Sequence, residues 1–292
     1  SFCHSDSLAS MKSQQNLGGI ALLICLVTSP SFAQVGIFSG NQDIGDVAAA
    51  GSVALTDGEY AVQGSGADIW NNADEFYFVY KEVSGPFSIK GNVFAEQGGG
   101  ASDWCKVGFM VRDNLTAGSP QAIGLIRTSG QDFGPQWRTD QDGSSADYGT
   151  YIAGSSNASM VQEGDIEVER LGSTINFYYV DFISLERVQM YSLNLPTLVD
   201  PVYVGLAVTS HTDGGISTGY FKNVVYQEYD WDIVRTIPVD SYSVSQTIQG
   251  IAMNINVREG KTVASITAKE DIPEGLSVSN IVVSSGQASV VD

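Results

Sequence analysis

Residues 75–80 read Glu75-Phe-Tyr-Phe-Val-Tyr80, and residues 88–95 read Ser88-Ile-Lys-Gly-Asn-Val-Phe-Ala95. In the first stretch Phe76, Phe78 and Tyr80 alternate with Glu75, Tyr77 and Val79. In the second, Ile89, Gly91, Val93 and Ala95 alternate with Ser88, Lys90, Asn92 and Phe94. A two-residue period marks an extended strand, because successive side chains point to opposite faces. Both faces of these two stretches are partly apolar. The same period recurs between about residues 40 and 228, in runs at 105–111, 122–127, 166–171, 175–180, 202–208 and 219–226, separated by Gly, Asp, Asn and Ser clusters. No part of the chain after residue 33 holds a helical period. One sheet of so many strands would curl or leave an apolar face wet, so two antiparallel sheets stacked about 10 Å apart are expected. The fold class predicted is all-β, a jelly-roll β-sandwich.

Composition agrees. The 292 residues are 43% hydrophobic and 16% charged, too apolar for a disordered chain and enough for one or two cores. Glycine, at 32 residues, exceeds its usual share of about 7% and suits tight turns between short strands. The net charge of −19 argues against nucleic acid and anionic lipid as partners, since phosphate backbones are held by clustered Lys and Arg. Cations and neutral sugars remain open.

Residues 11–33 have the layout of a signal peptide: Met11-Lys12, an apolar run from Leu17 to Val27 too short to span a bilayer, and Ser31 and Ala33 as small residues before a cleavage point. Cys25 follows Ile24 and lacks the small residue that a lipid-anchor signal needs. Residues 1–10 read as an upstream extension. An exported, extracellular or cell-surface setting follows. Cleavage would remove Cys3 and Cys25 and leave Cys105 without a disulfide partner, and its parity with Val107, Phe109 and Val111 makes it a buried apolar side chain. Residues 34–228 form the expected sandwich. A second strand set opens near Ile233, after the Glu228-Tyr-Asp-Trp-Asp link, with runs at 248–257 and 262–268. Residues 229–292 are therefore expected to be a partial immunoglobulin-like β module, too small for a good core of its own.

Several segments together resemble a known family: Gly64-Ser-Gly-Ala-Asp-Ile-Trp70, Asp74-Glu-Phe-Tyr-Phe-Val-Tyr80, Val107-Gly-Phe-Met-Val-Arg112, Val168-Glu-Arg-Leu-Gly-Ser173, Val204-Gly-Leu-Ala-Val-Thr-Ser-His211 and Gly219-Tyr-Phe-Lys-Asn-Val224. In this order they resemble concanavalin A-like lectin/glucanase sandwich domains, in the enolase-regulation-protein-like subtype of large bacterial surface and secreted proteins. The resemblance implies a fold and an extracellular setting, not a reaction. It departs from the family after residue 180, where a Ser-x-Asp-Gly turn followed by Trp is replaced by Asp181-Phe-Ile-Ser-Leu-Glu-Arg187.

Three functional readings compete. Asp165, Glu167 and Glu169 share one face of a strand, about 6–7 Å apart per step, as paired carboxylates of a retaining glycosidase would. The bacterial β-glucanases of the resembled superfamily carry Glu-x-Asp-x-(x)-Glu, whereas the order here is Asp-x-Glu-x-Glu, and a solvated outer face with Ile166 and Val168 turned inward reads equally well. Binding of a glycan, or of a cell-surface protein, would use aromatic faces and planar polar groups. Trp70, Trp104, Trp137, Tyr148 and Tyr151 supply the rings, and Asp68, Arg112, Arg138 and His211 the polar half. Against that stands a structural role for each, with Arg112 paired to Asp68 or Asp113. Calcium is the one cofactor considered, on Asp140-Gln-Asp142-Gly-Ser with Asp147 nearby, although the loop lacks the third Asx and the closing Glu of an EF-hand. A structural or self-associating sandwich, joined through edge strands, is the third possibility.

Overall fold

The computed structural model describes residues 34–128, 132–149, 152–153, 163–181, 183–236 and 252–257. The leader, the signal-peptide layout, Tyr151 and the run at 262–268 lie outside these residues. In chain order the strands begin β1 (Gly40–Ile44), β2 (Ser52–Thr56), β3 (Glu59–Gly66), β4 (Ile69–Trp70), β5 (Ala73–Asp74), β6 (Phe76–Val83) and β7 (Phe87–Glu96). They continue with β8 (Lys106–Arg112), β9 (Gln121–Arg127), β10 (Asp132–Arg138), β11 (Ser145–Asp147), β12 (Ile152–Ala153) and β13 (Glu163–Leu171). Then follow β14 (Thr174–Val180), β15 (Arg187–Asn194), β16 (Val202–Thr209), β17 (Thr212–Glu228), β18 (Trp231–Thr236) and β19 (Ala252–Val257).

Most of these strands build two large antiparallel sheets, with β4-β5 and β18-β19 as separate two-stranded pairs, and the described residues contain no helix. Sheet one runs β1-β6-β16-β8-β9-β10-β11, with β12 also on β10; sheet two runs β15-β14-β13-β7-β17-β3-β2. The sandwich expected from the two-residue period is what the chain forms. Tyr77, Val79, Ile89, Val93, Phe109, Phe177 and Phe221 meet between the sheets. Each such side chain, fully buried, contributes about 1.5–3 kcal/mol. Cys105 is also buried, its sulfur 3.0 Å from the Thr128 hydroxyl.

The apolar character of both faces of β6 has a structural cause. Phe76, Phe78 and Tyr80 point away from sheet two into a second apolar cluster with Ile44, Ile69, Met110, Ile123, Leu125 and Ala207. Sheet one is therefore covered over much of its outer face.

Several strands were not legible from the period. The β2–β3 hairpin turns at Asp57-Gly58, with φ of 50° and 83°, the left-handed pair that a two-residue hairpin turn demands. In β10, Asp132-Phe-Gly-Pro-Gln-Trp-Arg138 carries Gly and Pro that argue against a central strand. Its outer-side partners are interrupted: β12 pairs Asp132 and Phe133, β11 pairs Gln136 to Arg138, and Pro135 falls between them. After the link, β18 pairs antiparallel with β19, Ile233 opposite Ile255. No helix among the described residues is long and apolar enough to cross a membrane.

Candidate functional site

The site grows from the outer face of sheet one at the end the second apolar cluster leaves open. Cross-strand register sets Thr209, Lys106 and Arg127 side by side on β16, β8 and β9. Two rows further along the same face, past Ala207, Gly108, Leu125 and Gly134, lie Gly205, Met110, Ile123, Gln136 and Asp147. Two cations directly opposite on neighbouring strands repel, a cost that a sheet does not carry for packing alone. A cleft of about 250 Å3 opens here, lined by Asp68, Trp70, Trp104, Lys106, Arg127, Gln136, Asp147 and His211.

Asp68 organises one wall. Its Oδ1 lies 2.7 Å from Lys106 Nζ and its Oδ2 3.2 Å from His211 Nε2. Lys106 also donates to the Ile69 carbonyl at 3.0 Å and stands over the Trp70 ring, 5.2 Å from its centroid. Burial pushes the Lys106 ammonium below its ordinary value, against the pull of Asp68, and the neighbouring Arg127 adds to the depression. His211 sits at the β16–β17 turn with φ of 53°, in the left-handed region that histidine enters more often than most side chains. On the other wall the Arg127 guanidinium lies 5.1 Å from the centroid of Trp104, which is 48% exposed. Asp147 accepts from the Gly149 N–H at 2.9 Å.

Asp68, Trp70 and His211 thus share one cleft with Trp104, while Arg112, Trp137 and Arg138 do not join them. For Arg112 and Arg138 this corrects the expectation of ligand contact, since both side chains are wholly buried. Arg138 is wholly buried, forked onto Asp74 at 2.6 and 2.9 Å. Its remaining N–H groups serve the carbonyls of Trp70, Asn71, Ala117, Ser119 and Gly143 at 3.0–3.2 Å. It stitches three loops over the end of sheet one. Arg112 is equally buried and lies 3.6 Å from Asp74, not beside Asp68 or Asp113. It donates to the carbonyls of Asn114 and Thr116, and burial pushes its guanidinium down to about 10. Burial likewise holds the Asp74 carboxyl above its ordinary range, opposed by both arginines. Trp137 packs against the inter-sheet core and stacks on Tyr191 at 5.2 Å, with Tyr148 on the same Tyr191 at 4.6 Å.

The carboxylate strand lies on the other sheet. Ile166 and Val168 face the core, and Asp165, Glu167 and Glu169 face outward. Asp165 is exposed, but Glu167 and Glu169 are only 7% and 9% exposed, so the solvated face expected for all three holds for the first alone. Arg187 forks Glu167 at 2.8 and 3.0 Å and reaches Glu169 at 3.5 Å. Glu169 also accepts from Asn176, Tyr178 and Tyr229 at 2.9–3.0 Å. In the departing turn, Asp181 Oδ1 accepts from the Ile183 and Ser184 backbone N–H groups and the Ser184 hydroxyl, which holds its carboxyl below the ordinary value. Among the described residues no three His, Cys, Asp or Glu gather to hold a metal, and Asp140 and Asp142 form an exposed turn.

Lys106, Arg127 and Gln136 were not singled out by the sequence. Their parity with Met110, Leu125 and Ile123 puts them on one face, but only the register of β8, β9 and β10 brings them together.

No family model matches the chain, and no curated protein matches it in sequence. Among solved structures, it is similar to a functionally unknown protein of Saccharomyces cerevisiae at 15% identity, covering 60% of this chain and 91% of that one, TM-score 0.47. A carbohydrate binding module of Bacillus subtilis aligns at 15% identity over 66% of this chain and 98% of its own, TM-score 0.42. A xylan β-1,4-xylosidase of Bacillus halodurans aligns at 10% identity, TM-score 0.43, over 58% of this chain and 33% of the xylosidase.

Proposed function

We propose that the protein is an exported, non-catalytic module that binds carbohydrate in the cleft of sheet one. One observation carries the reading: Trp70 and Trp104 share a small cleft with the donors Lys106, Arg127, Gln136 and His211 and the acceptors Asp68 and Asp147. A pyranose offers an apolar C–H face to an aromatic ring and hydroxyls that both donate and accept, and this lining answers each of those features. Cations stand over one face of each indole, and the exposed Trp104 keeps area for a sugar. At about 250 Å3 the cleft is smaller than the roughly 300–1,000 Å3 of drug-sized sites, which favours one or two sugar units over a long chain.

The signal-peptide layout of residues 11–33 and the resemblance to concanavalin A-like domains support an extracellular glycan, free or on a cell surface, as the partner. The binding domain is residues 34–228, followed by the immunoglobulin-like module. Hydrolysis on the carboxylate strand draws no support from the geometry. A retaining pair needs one carboxylate free to attack and a second free to carry a proton, whereas Glu167 and Glu169 already accept from Arg187, Asn176, Tyr178 and Tyr229. A glycan array probed with the wild type, Trp104→Ala and Asp68→Asn tests the reading. Signals lost in both variants support it; an empty array, or signals indifferent to both changes, refutes it.

A further inference from the structure

The outer face of sheet two carries a second groove, of about 290 Å3, lined by Glu59, Phe94, Glu96, Tyr220 and Lys222. Phe94 and Tyr220 are direct cross-strand partners on β7 and β17, and their half-buried rings lie 5.8 Å apart at 31°. The side chains around the rings are already oriented. Tyr220 donates its hydroxyl to Glu96 at 2.8 Å, and Lys222 holds Glu59 at 3.1 Å. Asn92, in register with Lys222, keeps its Oδ1 out of solvent without a donor. Directly after Lys222 the ladder bulges, with Asn223 at φ of 53°, so the strand bends beside the groove.

Packing does not require this arrangement. The core side of the same strands is filled by Val93, Ala95 and Phe221, and the two rings lie on the opposite face. A pair of adjacent rings bordered by fixed carboxylates is the chemistry that receives an uncharged pyranose, whose C–H face stacks while its hydroxyls donate to carboxylate oxygens. The rim of Glu59 and Glu96, with the exposed Glu163 in register with Phe94, repels anionic sugars.

We propose that Phe94 and Tyr220 form a second, independent platform for neutral sugar units on sheet two, so that one module engages glycan on both outer faces. The platform does not rest on the cleft of sheet one, and either site stands without the other. Two sites on opposite sheets would join two polysaccharide strands, or two stretches of one strand, and raise apparent affinity through effective concentration.

Native-gel affinity electrophoresis in laminarin, xyloglucan, galactomannan and pullulan tests this, with four proteins compared: wild type, Trp70→Ala/Trp104→Ala, Phe94→Leu/Tyr220→Leu, and the combination of all four changes. Leucine keeps apolar cover on the strands and removes the rings, and an unchanged melting temperature shows that the fold persists; Tyr220→Phe with Glu96→Gln serves as a second variant that keeps both rings and disturbs only the rim. The expectation is that at least one polysaccharide retards the Trp70→Ala/Trp104→Ala protein, and that adding the leucine pair weakens that residual binding by about tenfold or more. The rim variant should fall between. Retardation of the Trp70→Ala/Trp104→Ala protein that survives the leucine pair overturns the platform, as does its absence in all four polysaccharides. Retardation indifferent to the tryptophan changes but lost with the leucine pair refutes the cleft and sustains the platform.

Discussion

Arg138 and Asp74 face each other with both side chains wholly buried, two guanidinium N–H groups meeting two carboxylate oxygens at 2.6 and 2.9 Å. A charge taken out of water at that depth is tolerated only when it is paired and every donor is used. Arg138 meets that condition through five backbone carbonyls from three loops. One of them belongs to Trp70, so the same residue that closes the end of sheet one also fixes a wall of the cleft.

Arg138→Ala is therefore expected to destabilise the protein by about 3–5 kcal/mol, the range for breaking a buried pair. Arg138→Lys should recover little, since a lysine cannot fork the carboxylate or reach the same set of carbonyls. Chemical denaturation of the two variants checks this; a lysine variant as stable as wild type would mean the fork is dispensable.

Trp104 and Trp137 should separate cleanly. Trp104→Ala leaves the melting temperature nearly unchanged, because the ring is half exposed at the cleft rim, and weakens glycan binding by about tenfold. Trp137→Ala loses a ring stacked on Tyr191 against the core and costs stability toward the lower end of about 3–5 kcal/mol. Thermal melts beside binding curves read both.

Lys106 titrates below the ordinary 10.5 because it is buried. Its folded-state value lies below its unfolded one, so between them the unfolded chain binds more protons, and rising pH adds stability from this group rather than removing it. Loss of its charge also releases Asp68 and the face of Trp70. A change in tryptophan fluorescence with a midpoint below 10.5, absent in Lys106→Met, is the expected observation. The same midpoint in the variant would assign it elsewhere.

Tyr229 stacks on Trp231 at 5.7 Å and donates to Glu169 at 2.9 Å, which ties the link after β17 to sheet two. Its phenol is pushed up to about 12, by burial first, with the charge of Glu169 adding to it. The unfolded chain releases this proton near 10, so stability from Tyr229 is present below that value and is lost as pH rises toward 12. The tyrosinate absorbance difference between wild type and Tyr229→Phe should therefore show a midpoint near 12; an ordinary midpoint near 10 would mean that the tie does not form.

The carboxylate trio shows how far a motif carries by itself. Spacing places Asp165, Glu167 and Glu169 on one face, and the structure agrees. What spacing cannot state is what else occupies that face. Arg187 and Tyr178 arrive from β15 and β14, and Tyr229 from beyond β17, and together they turn a candidate reactive pair into an internal network. Arg138 was open to misreading for the same reason, since its partner Asp74 lies 64 positions away in the chain.

Alternation along the chain determined that these segments are strands, which side chains fill the gap between two sheets, and that Cys105 is buried. Those properties depend on neighbours two residues apart, and extended backbone geometry fixes them locally. Lateral order decided the rest: that Lys106 stands beside Arg127, that the loops holding Trp70 and Trp104 meet over them, and that Arg112 and Arg138 are sealed beneath the loops. Such contacts join residues dozens of positions apart, and only closure of the sheets and the burial it enforces bring them together.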